Sequence, residues 1–153
     1  MTTLSHPLKW IGLLVLLLTA CSPPNDDNDR QTKADISQSQ AHYFLESLNL
    51  VEQAGRQLQS DDVTQTLLEQ ALSLMDAGMA LAFKVDSAYL NKLDVRLGKN
   101  YQRYFVEGVQ TYRLGIEAGD QDDQKKGLIL LSRWAQFWDD SQSVIMQKLD
   151  VEK

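Results

Sequence analysis

The chain has 153 residues, 43% of them apolar and 24% charged, which suits a single domain with its own core and excludes a low-complexity chain. Fifteen Lys and Arg stand against 21 Asp and Glu, a net charge of −6, and so acidic a protein is a poor partner for nucleic acid. Cys21 is the one cysteine, so no intramolecular disulfide can form and stability has to come from packing.

Residues Met1 to Lys9 are weakly basic, Trp10 to Leu18 are uninterruptedly apolar, and the small residues Thr19 and Ala20 precede Cys21. At a rise of ~1.5 Å per residue the stretch from Trp10 to Ala20 covers about half of a ~30 Å hydrocarbon core. A removable export signal over residues 1–20 is therefore expected, not a spanning helix.

The tetrapeptide Leu18-Thr19-Ala20-Cys21 resembles the lipobox of bacterial lipoproteins. The resemblance implies cleavage before Cys21, diacylation of its sulfur and acylation of the new N-terminus. Several acyl chains, palmitate among them, at ~0.8 kcal/mol per buried CH₂ make a durable membrane anchor. The class carries Asp after the Cys when it is retained in the inner membrane. Ser22 stands there, which implies lipid anchoring on the periplasmic face of the outer membrane. Loss of the signal removes Lys9 and leaves 133 residues with 14 basic and 21 acidic side chains, a net charge of −7.

From Ser22 to Gln40 the chain is polar, with Ala34 and Ile36 as its only aliphatic side chains, so it holds nothing to build a core from. Residues 21–38 read as an acylated Cys and a disordered tether with a reach of roughly 25 Å. The helical domain is assigned to residues 39–153.

No proline follows Pro24, and apolar residues recur at three-and-four spacing. A first helix, about Ser39 to Gln59, carries the stripe Ala41, Phe44, Leu48, Val51, Gly55 and Leu58. Ser60, Asp61 and Asp62, with Gln65 three residues after Asp62, suggest a capping box that opens a second helix. Its stripe is Leu67, Ala71, Leu74, Gly78, Leu81 and Val85.

Asp86 and Ser87 cap a long third helix through Leu90, Leu93, Leu97, Tyr101, Tyr104, Gly108, Tyr112 and Ile116, which Gly119 ends. Asp120, Asp122 and Asp123 favour the start of a fourth, striped by Leu128, Leu131, Ala135, Trp138, Ile145 and Leu149. Short links between long amphipathic helices predict an all-α, up-down antiparallel four-helix bundle. A small helical-repeat array is the alternative, since Ala71, Gly78, Ala82, Gly108, Gly115 and Gly127 allow close packing, although no constant period is visible. Self-association through the third helix is left open.

Chemistry is sparse in this sequence. His42 is the only histidine after processing and has no ligand or triad partners at a recognisable spacing. No HExxH, CxxCH, Gly-rich phosphate loop or GxSxG occurs, so a non-enzyme without metal or cofactor is expected. His42 with Met75, Met79 or Met146 is the only conceivable haem-ligand pair, and methionines at helical spacing fit a core better. The clusters Asp26, Asp27, Asp29 and Asp120, Asp122, Asp123 do not follow the EF-hand order, because Lys125 and Leu131 stand where the second would need Gly and Glu. They read as tether and caps.

Lys92, Arg96, Lys99 and Arg103 are spaced four, three and four, which places four cations on one face of a continuous third helix. Such a stripe suits an acidic partner or anionic headgroups, unless Glu46, Glu52, Glu69 or Asp76 neutralise it from neighbouring helices. Aromatics gather in the second half, at Tyr89, Tyr101, Tyr104, Phe105, Tyr112, Trp134, Phe137 and Trp138. Trp134 and Trp138 share a helix side while Phe137 is turned by about 100°, so one ring is expected to be exposed beside the stripe. The partner-binding candidates are therefore Lys92, Arg96, Lys99, Arg103, Trp134, Phe137 and Trp138. In size, anchor and helix content the chain is similar to the small helical pilot and assembly lipoproteins of Gram-negative bacteria, which implies a docking role with an envelope protein. A small-molecule module with an aromatic pocket between the third and fourth helices is the other expectation.

Overall fold

The computed structural model describes residues 26–60 and 62–151; the expected signal peptide, the lipobox with Cys21 and the first residues of the expected tether lie outside them. Among the described residues the fold is helical, with no strand.

Helix α1 spans Asp26–Leu58, so it begins well before Ser39 and takes in most of the segment expected to be a disordered tether. Residues 31–36 of this extension are exposed. A polar composition forbids burial but not helix. Extending a helix already held by packing costs far less than nucleating one.

Helix α2, Gln65–Ala82, is capped by Thr64, whose hydroxyl accepts from the Leu67 amide at 3.2 Å. The cap predicted at Asp62 is thus displaced to the residue whose backbone is extended immediately before the first turn, at φ −80° and ψ 162°. The two helices run antiparallel. Gly78 faces Ser47 and Val51 at one level, while at another the Gln40 side chain donates to the Lys84 carbonyl and accepts from the Asp86 amide.

The expected long third helix does not form as one element. Helix α3 covers Ser87–Leu93, opened by the Asp86 carboxylate accepting from the Ala88 amide at 2.7 Å. Asp94 then turns extended, and its carboxylate accepts from the Arg96 amide at 2.7 Å, a local bond that competes with continued helix. Helix α4, Leu97–Asn100, runs into a π-helical segment, Tyr101–Val106, and then helix α5, Glu107–Ala118. Widening the turn lets Tyr101, Phe105 and Val106 all point inward.

Gly119 closes α5 in the left-handed region at φ 66°, and the Asp120 carboxylate takes the amides of Asp122 and Asp123 at the start of helix α6, Gln121–Val151. Helices α5 and α6 touch backbone to backbone. A Cβ on Gly127 would lie 2.5 Å from the Tyr112 nitrogen, and one on Gly115 would lie 2.6 Å from the Gln124 nitrogen.

Two antiparallel pairs, α1 with α2 and α5 with α6, meet over a core in which Phe44, Leu90, Leu93, Leu97, Tyr101 and Ile145 are fully buried. An ion pair from Arg113 to Asp76 joins α5 to α2, and the Lys148 ammonium donates to the Leu93 carbonyl. The α6 stripe departs from expectation at Leu128 and Ala135, which are exposed.

Candidate functional site

Six rings form the centre of the molecule. Phe44 lies 5.3 Å from Tyr101 and 5.8 Å from Trp138, both edge-on. Tyr101 stacks on Phe105 at 5.1 Å and meets Trp134 edge-on at 5.8 Å; Trp134 in turn stacks on Trp138 at 5.7 Å and touches Phe137 at 5.7 Å. Tyr43 stands apart, with the Lys84 ammonium 5.4 Å above its ring. Offset and edge-on pairs of this kind add to the stabilisation from area alone. Burial raises the hydroxyl pKa of Tyr101 far above its ordinary value, against the opposing hydrogen bond with Ser47.

Above Trp134 and Trp138 the helices α1 and α6 part and leave an open groove of about 660 Å³. Its α1 wall is Leu48, Val51, Glu52, Gly55, Arg56 and Gln59, and its α6 wall is Leu131, Trp134, Ala135, Trp138, Asp139 and Gln142. Phe105 of the π segment reaches its floor. Both walls repeat the same spacing of three, one, three, one and three along about 16 Å of helix. The rim is polar, with Arg56 paired to Glu52 at 3.0 Å.

The predicted aromatic residues are brought together, but as the edge of the core rather than as a projecting patch. Trp134 is buried and Phe137 and Trp138 are half-buried. The concavity they border lies between α1 and α6, not inside the pair expected to hold a pocket.

The predicted basic stripe is divided by the break after α3. Lys92 lies on α3 beside Lys33 and Ile36, whereas Lys99 and Arg103 line a different depression with Asn91 and Glu107. Arg96 sits in the turn itself, 64% exposed, with its guanidinium 5.5 Å from the centre of the Phe137 ring. Its side chain and its amide both donate to Asp94, which holds that carboxyl below the usual carboxylate range. Arg103 and Arg133 flank the Tyr104 ring, each at 5.9 Å. The carboxylates expected to neutralise the stripe are engaged elsewhere, Glu52 with Arg56 and Asp76 with Arg113.

His42 is exposed on α1, while Met75 and Met79 are in the core. Among the described residues no three His, Cys, Asp or Glu side chains gather as metal ligands, and no helix is long and apolar enough to cross a membrane.

Sequence reasoning assigned the α1 stripe to the core, where Val51 is buried and Leu48 packs against it, and missed that Leu48, Val51 and Gly55 also line the groove. The available signal was Gly55, a glycine in the last turn of α1 whose φ is not the positive one of a helix-ending glycine. No protein-family model, curated protein or solved structure matches this chain.

Proposed function

We propose that the chain is a lipid-anchored lipoprotein on the periplasmic face of the outer membrane whose helical domain docks another protein of the cell envelope. The lipobox at Leu18 to Cys21 supports the address. The observation that carries the docking role is the open groove between α1 and α6, with Trp134 and Trp138 in its α6 wall. Trp134 is buried and Trp138 half-buried, and the partly accessible Trp138 ring in a depression ringed by polar side chains has the usual composition of a binding hot spot. Arg96 over Phe137 extends the same surface toward α3, with Lys92, Lys99 and Arg103 as flanking cations. The helices read as an up-down bundle opened between its first and last members, and no residue is given a catalytic role.

The test is mass spectrometry of proteins cross-linked to the full-length lipoprotein in its native envelope, with a Cys21→Ser form as control. One outer-membrane complex recovered with the acylated form and lost in the control is the expected result. Recovery of the same proteins from both forms would refute the anchored docking role.

A small-molecule reading has one observation in its favour, the groove volume, which falls within the range of ordinary ligand sites. It predicts saturable quenching of Trp134 and Trp138 fluorescence by an apolar metabolite, independent of acylation. Absence of such quenching across a library would remove it.

A further inference from the structure

We propose that the groove between α1 and α6 receives an α-helix of the partner, apolar on the seated face and basic along its flanks, which packs closely at Gly55. The inference rests on the docking role proposed above and names the form of the partner.

Shape is the first argument. Each wall presents side chains at i, i+3, i+4, i+7, i+8 and i+11, so two ridged helix surfaces run along the groove for about 16 Å. Ridges at this spacing interdigitate with those of a third helix, and an amphipathic helix anchored at i, i+3, i+4 and i+7 is the peptide form that lies in such a trough. The apolar length accommodates about three turns.

Gly55 is the second argument. Among the described residues every other glycine has an internal reason to be one. A Cβ at Gly78, Gly98, Gly108, Gly115 or Gly127 would come within 3.1 Å of a neighbouring atom, and Gly119 has a positive φ. A Cβ at Gly55 would meet nothing within 4 Å, and its φ is not positive. Gly55 lies in the last turn of α1, but without the positive φ of a helix-ending glycine, and a right-handed glycine there weakens the helix relative to alanine, so the fold alone gives no reason for this residue. It faces the groove, with the small Ala135 on the opposite wall. Small residues on facing walls are what admit another helix backbone at short range.

Charge is the third. The rim holds Glu52, already paired with Arg56, and Asp139, which no cation among the described residues neutralises. On a chain of net charge −6, Asp139 favours Lys or Arg along the edge of the seated helix.

The experiment uses the full-length lipoprotein in nanodiscs of zwitterionic lipid, with empty discs as the blank. The probe is a fluorescein-labelled synthetic helix with Leu at the a and d positions of three heptads and Lys on both flanks. Its comparators are a scrambled peptide of the same composition and a Glu-flanked version. Fluorescence anisotropy is expected to show saturable one-to-one binding of the Lys-flanked helix, at least tenfold weaker for either comparator. Gly55→Leu places a side chain in the groove from a position where a Cβ meets nothing within 4 Å and is expected to weaken binding at least tenfold, whereas Ala80→Leu, on an exposed position of α2, leaves it unchanged.

Equal binding by wild type and Gly55→Leu, equal binding of the Lys- and Glu-flanked helices, or no binding of any peptide overturns the proposal. Saturable uptake of an apolar fluorophore without helix binding also overturns it, in favour of a ligand pocket. Failure here is separable from failure of the docking role. An envelope complex that is still cross-linked by Gly55→Leu leaves docking intact and removes only the groove as its site.

Discussion

The hydroxyl of Tyr101 lies 2.7 Å from Ser47 Oγ, joining the π segment to α1 across the centre of the core, and Ser47 also donates to the Phe44 carbonyl at 2.6 Å. In Tyr101→Phe the serine keeps its backbone acceptor, so no polar atom is stranded, and the loss is that of one ordinary hydrogen bond, about 1 kcal/mol. Urea denaturation at neutral pH measures it.

The same tyrosine predicts an alkaline limit. Its folded pKa is raised above that of the unfolded chain, chiefly by burial. The stability linked to it is complete below the unfolded value of about 10 and is lost as pH rises beyond that. Stability measured from pH 9 to 11 should fall more steeply in wild type than in Tyr101→Phe. Parallel curves would show that other groups set the limit.

Two glycine-to-alanine changes should act with opposite sign. At Gly127 the new methyl group would lie 2.5 to 2.6 Å from backbone and Cβ atoms of Tyr112, forcing α5 from α6. Overpacking of this kind costs about 1–3 kcal/mol, which outweighs the ~1 kcal/mol gained from helix propensity. At Gly55 nothing obstructs the methyl group, and stability should rise by about 0.5–1 kcal/mol. Thermal unfolding of both variants, one Tm lowered and the other raised, checks the pair.

Asp94→Ala removes the acceptor of the Arg96 amide and the ion pair at 3.3 Å, and should cost about 0.5–2 kcal/mol as the turn between α3 and α4 loosens. Because the folded pKa of Asp94 is lowered, its contribution is present above the unfolded value of about 3.9 and disappears as pH falls below that. Acid denaturation followed by circular dichroism should therefore show wild type and variant converging below about pH 3.9.

Arg96→Ala and Arg103→Ala, both at exposed positions, should change stability by less than about 0.5 kcal/mol while reducing recovery of the cross-linked partner. Unfolding of the domain by both would make the cations structural and refute their part in docking.

Much of the core was legible in the residue order. Leu90, Leu93, Leu97 and Tyr101 keep their inward phase although the helix carrying them is broken, because the turn at Asp94 is short enough to preserve their side. The break itself was hidden, since Asp94 has the spacing of an ordinary surface residue and only its bond to the Arg96 amide reveals the turn. The early start of α1 was missed for a different reason: composition reports whether a segment can be buried, and residues 31–36 are helical without burial. Periodicity likewise places Leu48, Val51 and Gly55 on one face but does not say whether another element covers it.

Helix α1 also acts as a ruler. From Asp26 the groove wall begins at Leu48 and ends at Gln59, so at 1.5 Å per residue it lies roughly 33 to 50 Å along the axis from the helix start. If acyl chains hold Cys21 in the periplasmic leaflet of the outer membrane, an upright α1 carries the groove farther from the lipid than the ~30 Å hydrocarbon core is thick. Segments buried in the bilayer cannot reach it in that pose; a water-exposed arm of a membrane machine can.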